Sequence, residues 1–197
     1  MNPNLHMIRR HTCRQHGASL IMVMMILIIV SLLGVGGAQI ALMGERGARN
    51  DRDMQVAWQA AEAALIDAES DLSDVGSTRH VLFDGMSLTG FVDGCGTTGN
   101  SRGLCTDNLV AGKPAWMAVD FTSTASDAPT TALGTFTGRT FATGNIGVQS
   151  VQAPRYIIEA LKDPLDASGK SKIYRVTAMG FGPRADIQAV LQMIYRI

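Results

Sequence analysis

The chain is short of nearly everything that catalysis or nucleic-acid binding would use. Its 197 residues carry seventeen basic and seventeen acidic side chains, so the formal charge is zero. The positive footprint that a phosphate backbone attracts is therefore missing, and no nucleic-acid partner is expected. Beyond residue 17 only one histidine remains, His80, which excludes a multi-histidine metal site or a histidine-based triad in the body of the chain. Neither an HExxH pattern, a GxxxxGK phosphate loop nor a CxxC pair occurs. Asp163, Asp166 and Ser168 before Gly169 faintly resemble a calcium loop, but their spacing misses the EF-hand pattern and a Pro/Gly turn explains them better. Asp71 and Asp74 ahead of Gly76 read as a helix end with its turn. No enzymatic activity, cofactor or metal is expected.

Charge is also missing locally. Arg9, Arg10 and Arg14 are followed by no Asp, Glu, Lys or Arg until Glu45. Within that gap the run from Ala18 to Val35, ASLIMVMMILIIVSLLGV, would span about 27 Å as a helix, and with Gly36 to Ile40 it is long enough to cross a bilayer core. A secretory signal peptide has a shorter apolar centre ahead of its cleavage site; Gly36-Gly37-Ala38 mimics such a site, but the run is too long. Basic residues on the N-terminal flank predict that this end stays in the cytoplasm and that the remainder is exported. What remains suits one modest domain.

The cysteines number three, and the odd count first suggests a free thiol or an intermolecular bridge. Cys13 lies on the cytoplasmic side of the run, whereas Cys95 and Cys105 lie in the part expected to reach an oxidising compartment. If the N-terminal segment is removed, one pair is left. A Cys95–Cys105 bridge would close a short Gly/Thr-rich loop, worth roughly 2.5 to 3 kcal/mol by chain entropy.

The boundary HTCRQHG followed at once by the apolar run resembles the class III signal of type IV prepilins, in which a membrane peptidase cuts after the glycine. The resemblance implies cleavage between Gly17 and Ala18, with the apolar helix retained first as an anchor and then as a packing surface. One position departs from that pattern. The family's usual glutamate at the fifth mature residue is Met22 here, so no carboxylate can neutralise the N-terminus of a neighbouring subunit. The resemblance implies a subunit at the filament tip or at initiation; a shaft subunit that tolerates the loss is the alternative. Gly34, Gly36 and Gly37 weaken the helix and suit either close helix packing or ordinary membrane tolerance.

After the run, Met54, Trp58, Ala61, Leu65, Ala68 and Leu72 recur at intervals of four and three, which predicts one apolar helix stripe packed on the head's sheet, with Glu62, Asp67 and Glu69 outward. The stretch QVAWQAAEAALIDAESDL resembles the PilX family of type IV pilus assembly proteins, as do YRVTAMGFG and AVLQMIYR near the C-terminus. Between them, residues 73–153 read as loops and short strands, with WMAVDF at Trp116 to Phe121 expected to be a strand and the following Thr/Gly-rich segment to be turns and edge hairpins. The runs RYIIEAL, IYRVTAMGFGP and ADIQAVLQMIYRI predict an antiparallel meander in which Tyr174, Val176, Ala178 and Gly180 share one face.

The expected fold is α+β, a pilin-like ladle: a leader over residues 1–17, a transmembrane and filament-core helix over 18–44, its amphipathic continuation over 45–73, and a periplasmic β-rich head over 74–197. The resemblance implies minor pilin function in pilus assembly, supporting twitching, adhesion or aggregation. It also implies partners: other minor pilins and the major pilin, the prepilin peptidase, the inner-membrane assembly platform and a possible tip adhesin. A minor pseudopilin of a type II secretion system, or a membrane-anchored periplasmic binding domain or enzyme, stays open as an alternative.

Overall fold

The computed structural model describes residues 18–144 and 147–196. They form α1 (Ala18–Ser73), β1 (Leu104–Thr106), α2 (Ala115–Ala118), β2 (Thr131–Ala132), β3 (Arg155–Lys162), β4 (Lys172–Phe181) and β5 (Gln188–Tyr195), with short 3-10 turns at His80–Leu82 and Gly99–Ser101. The chain divides into two compact units at Ala48 and Arg49.

The described part of the first unit is the apolar half of α1. Its Ile and Val residues are mediocre helix formers in water. In lipid, by contrast, every backbone N–H must find its carbonyl within the segment, and the helix is the conformation that achieves this. The large apolar side chains from Leu20 to Met43 are exposed, and Gly34, Gly36 and Gly37 have nothing within 4 Å of where a side chain would begin.

In the second unit, the Ala-, Glu- and Leu-rich part of α1 continues to Ser73. The helix stops in an Asx turn, where Gly76 N–H donates to Asp74 Oδ1 at 2.8 Å and Ser77 N–H to the Asp74 carbonyl at 2.9 Å. The sheet follows the order β1-β3-β4-β5, with β2 also pairing on β3. β3, β4 and β5 form the antiparallel meander. β1 runs parallel to β3, so the sheet as a whole is mixed.

α1 crosses one face of this sheet. Ala64, Ala68 and Leu72 pack with Tyr156, Ile158, Tyr174, Val176 and Ala178, while Ala57 and Ala61 meet Ile187 and Ala189. The helix approaches so closely at Gly180 that a Cβ there would overlap the Ala57 carbonyl oxygen and the Ala61 nitrogen. The opposite face is covered by Cys95, Cys105, Ala115 and Phe121 around Ile157.

Three expectations need correction. WMAVDF is not a strand: α2 occupies Ala115–Ala118 behind Pro114, whose fixed φ and missing N–H suit a helix start, and Val119 N–H closes the turn on the Ala115 carbonyl. So short a run registers no period: Trp116 and Val119 are half-buried and Phe121 buried while Met117 is exposed, which is not alternation. The buried stripe of α1 is also displaced from the predicted one. Ala61, Ala68 and Leu72 are buried and Leu65 half-buried, but Met54 and Trp58 are 43% and 50% exposed, and the buried positions include Ala57, Ala60 and Ala64. Close approach to Gly180 selects alanines rather than the bulkiest side chains. Asp67, expected to face outward, is fully buried.

Candidate functional site

Two features bear on function: the uncharged half of α1 and the way the head is locked to the rest of that helix.

Ala18 opens α1; Gly17, the other side of the expected cut, lies outside the described residues. From Ala18 to Gly44 the helix presents no ionisable side chain. Met22, in the place where the pilin pattern has a carboxylate, is 67% exposed among Ile21, Val23 and Met25. The single hydroxyl in this stretch beyond Ser19, that of Ser31, donates back to the Leu27 carbonyl at 2.7 Å, so it offers nothing outward. Among the described residues this is the one helix long and apolar enough to cross a membrane, as a single-pass anchor does.

The lock is a buried polar network that the sequence reading left out. Asp71 and Arg79 are both fully buried and form an ion pair, with Arg79 Nη2 at 2.6 Å and Nε at 2.9 Å from Asp71 Oδ2. Ser77 Oγ donates to Asp71 Oδ1 at 2.7 Å, and Tyr156 Oη to Oδ2 at 2.9 Å. Arg79 Nη1 donates to the Asn100 and Arg102 carbonyls at 3.1 and 2.6 Å, and its guanidinium lies 3.7 Å from the Phe136 ring centroid. The Asp71–Arg79 pair thus ties the last turn of α1 to β3, through Tyr156, and to two loops. Burial, and next the Asp71 charge, push the Tyr156 hydroxyl well above its ordinary pKa.

A turn earlier on the helix, Asp67 accepts from Gly134 N–H at 2.8 Å and from the Thr137 hydroxyl. Arg139 reaches Ser70 Oγ at 3.1 Å. The segment after β2 is thereby sewn to the helix flank. A signal for this network does exist in the sequence: Asp67 and Asp71 are spaced i, i+4 on one flank, a repulsive pair unless something answers it.

Cys95 and Cys105 are disulfide-bonded. The bridge joins a turn to β1, which the Val92–Cys105 backbone pairing holds at the sheet margin. On the same sheet face Arg175 clasps Glu159 through two hydrogen bonds of 2.8 and 2.9 Å. The Asp166 carboxylate accepts from the Ser168 hydroxyl and from the Ser168, Lys170 and Ser171 amides. Those bonds, the Ser168 hydroxyl first, lower its pKa to about 2, and they make it a turn anchor. Among the described residues, no group of three or more His, Cys, Asp or Glu side chains converges to hold a metal ion. The arrangement is one of anchoring and packing.

Two family models match the chain: PilX N-terminal over residues 16–65, and Type IV pilus assembly protein PilX C-term over residues 86–197. None of the curated proteins and none of the solved structures matches it. An exposed apolar helix at the N-terminus leading into an α+β head is the arrangement of a pilin, and the chain belongs to the PilX family of type IV pilus assembly proteins, a structural family that works with other pilins.

Proposed function

We propose that this minor pilin is cut between Gly17 and Ala18 by a prepilin peptidase, stays in the inner membrane with its N-terminus cytoplasmic and its head periplasmic, and enters the pilus at initiation or at the tip. The observation that carries the reading is the abrupt boundary: charge ends at Arg14 and the helix starts at Ala18, uncharged through Gly44. A retained helix of that kind serves in lipid and then among sister helices, where small residues such as Gly34, Gly36 and Gly37 permit close approach. Met22 supports the tip or initiation role, because a subunit with no predecessor has no neighbouring N-terminal amine to neutralise, and an unpaired charge in an apolar bundle is costly. Support of twitching, adhesion or aggregation follows from that place in the filament.

The test is processing. N-terminal sequencing of the mature protein should return ASLIM, and Gly17→Ala should leave the uncut precursor in the inner membrane, running larger on a denaturing gel. A mature terminus elsewhere, such as near Ala38, overturns the reading.

A further inference from the structure

β5 ends the sheet, and its outer edge is open. The other margin of the sheet is closed: β1 and β2 pair with β3, and the Val92 and Gly96 amides bond the Leu104 carbonyl on β1. Along Gln188–Tyr195, no backbone hydrogen bond other than those to β4 is made among the described residues. Native sheets protect an exposed edge with Lys, Pro, a bulge or shortness. β5 has none of these. It is eight residues long, QAVLQMIY, without charge or proline, and charged residues stand only beyond its ends, at Asp186 and Arg196.

Apolar surface on both sides of the edge is left uncovered as well. On the face away from α1, Val190 and Ile194 are 47% and 59% exposed. On the helix side stands Trp58. Nine residues at about 100° each set it about half a turn round α1 from Asp67. Asp67 is on the flank sewn to the Gly134–Thr137 segment next to β2 and β3, so Trp58 is on the flank toward β5. There, among the described residues, its indole N–H bonds only Glu62 of its own helix, at 2.8 Å. No strand beyond β5 covers Trp58 among the described residues, and it is left 50% exposed on that flank.

We infer that β5 accepts one further β-strand, supplied by a different polypeptide. The occupant is an extended, uncharged segment with apolar side chains at alternate positions. Its backbone completes the row of donors and acceptors along β5, one side-chain row covers Trp58 and Leu191, and the other continues Val190 and Ile194. Lipid does not suit the site, because it cannot satisfy a strand edge. A second copy does not suit it either. Reciprocal β5–β5 pairing about a two-fold axis reverses everything in the plane of the sheet, including the segment of α1 that crosses it, so the two chains would arrive at Arg49 from opposite directions.

The test appends to the full-length chain, in detergent micelles, an Asn-Gly turn and a strand of about eight residues alternating Thr and Val, which folds back beside β5 at high effective concentration. A control extension carries proline at alternate positions. The strand should slow amide exchange over residues 188–195 by about tenfold or more and, in a Trp116→Phe background, shift Trp58 emission to the blue; the proline control should do neither. The free Thr/Val peptide should bind the unextended chain and not the strand-bearing one. Unchanged exchange at β5 overturns the inference, as does concentration-dependent dimerisation of the unextended chain with β5 already protected. An arm in cells rests on the pilus reading: the strand-bearing chain should insert normally yet fail to support filaments that the proline control supports, and equal filaments overturn the inference. Deletion of the whole chain, scored alongside, shows separately whether that reading holds.

Discussion

Arg79 is the residue on which the head's attachment to α1 turns. A buried guanidinium is tolerable because Asp71, two backbone carbonyls and the Phe136 ring answer it together. Arg79→Leu leaves the Asp71 carboxylate buried with hydroxyl donors alone, from Ser77 and Tyr156. Stranding one member of such a pair costs about 3–5 kcal/mol, and thermal unfolding of the head should move down by about 10 °C. A melting shift of only a degree or two would show that the pair is dispensable. Tyr156 adds a pH dependence. Its raised pKa means that the folded state keeps a proton that the unfolded chain gives up above about pH 10. Stability from this group is therefore complete below that pH and lost as the pH climbs toward the folded value. Alkaline unfolding followed by tyrosinate absorbance should show Tyr156 ionising together with loss of structure, and Tyr156→Phe should remove that component.

Among the elements, the apolar run and the three long strands were legible because each repeats its signal over many residues. β3 and β4 are long apolar runs buried on both faces and β5 alternates, and Tyr174, Val176 and Ala178 do share the face toward α1. β1 and β2 have three and two residues, too few for any period to register, and they are strands only because β3 offers them an edge. α2 was misread for the same reason. The stripe on α1 was read with Met54 and Trp58 on it beside Ala61 and Ala68, whereas contact is centred on the smallest residues, with Gly180 of β4 against Ala57, Ala60 and Ala61. The Asp71–Arg79 pair was missed because its partners come together only when the fold does. The close contact yields a prediction: Gly180→Ala adds one methyl group where there is backbone on the other side, and overpacking of that kind costs about 3 kcal/mol. The penalty should appear as a lower denaturant midpoint with the slope unchanged. An unaltered midpoint would mean that the helix lies farther from the sheet than described.

At the scale of the whole molecule, charge stands on either side of residues 18–44 and none stands within them. The head satisfies its buried ions internally, whereas residues 18–44 carry no ion to satisfy. A helix cut before Ala18 acquires one charge, its new α-amino group, and in an apolar bundle that charge must be met by a carboxylate from a neighbour. On the proposed reading, this chain can be served by another subunit's carboxylate but cannot serve another subunit in turn, and we propose that it therefore stands where no such service is asked. Met22→Glu restores the missing group near the end of the helix, where its cost in the membrane is smallest. The variant should then be distributed along the shaft, and immunogold labelling of sheared filaments should change from sparse and terminal to dispersed. Labelling that stays terminal in the variant would mean that the head, not the helix, decides where the subunit sits.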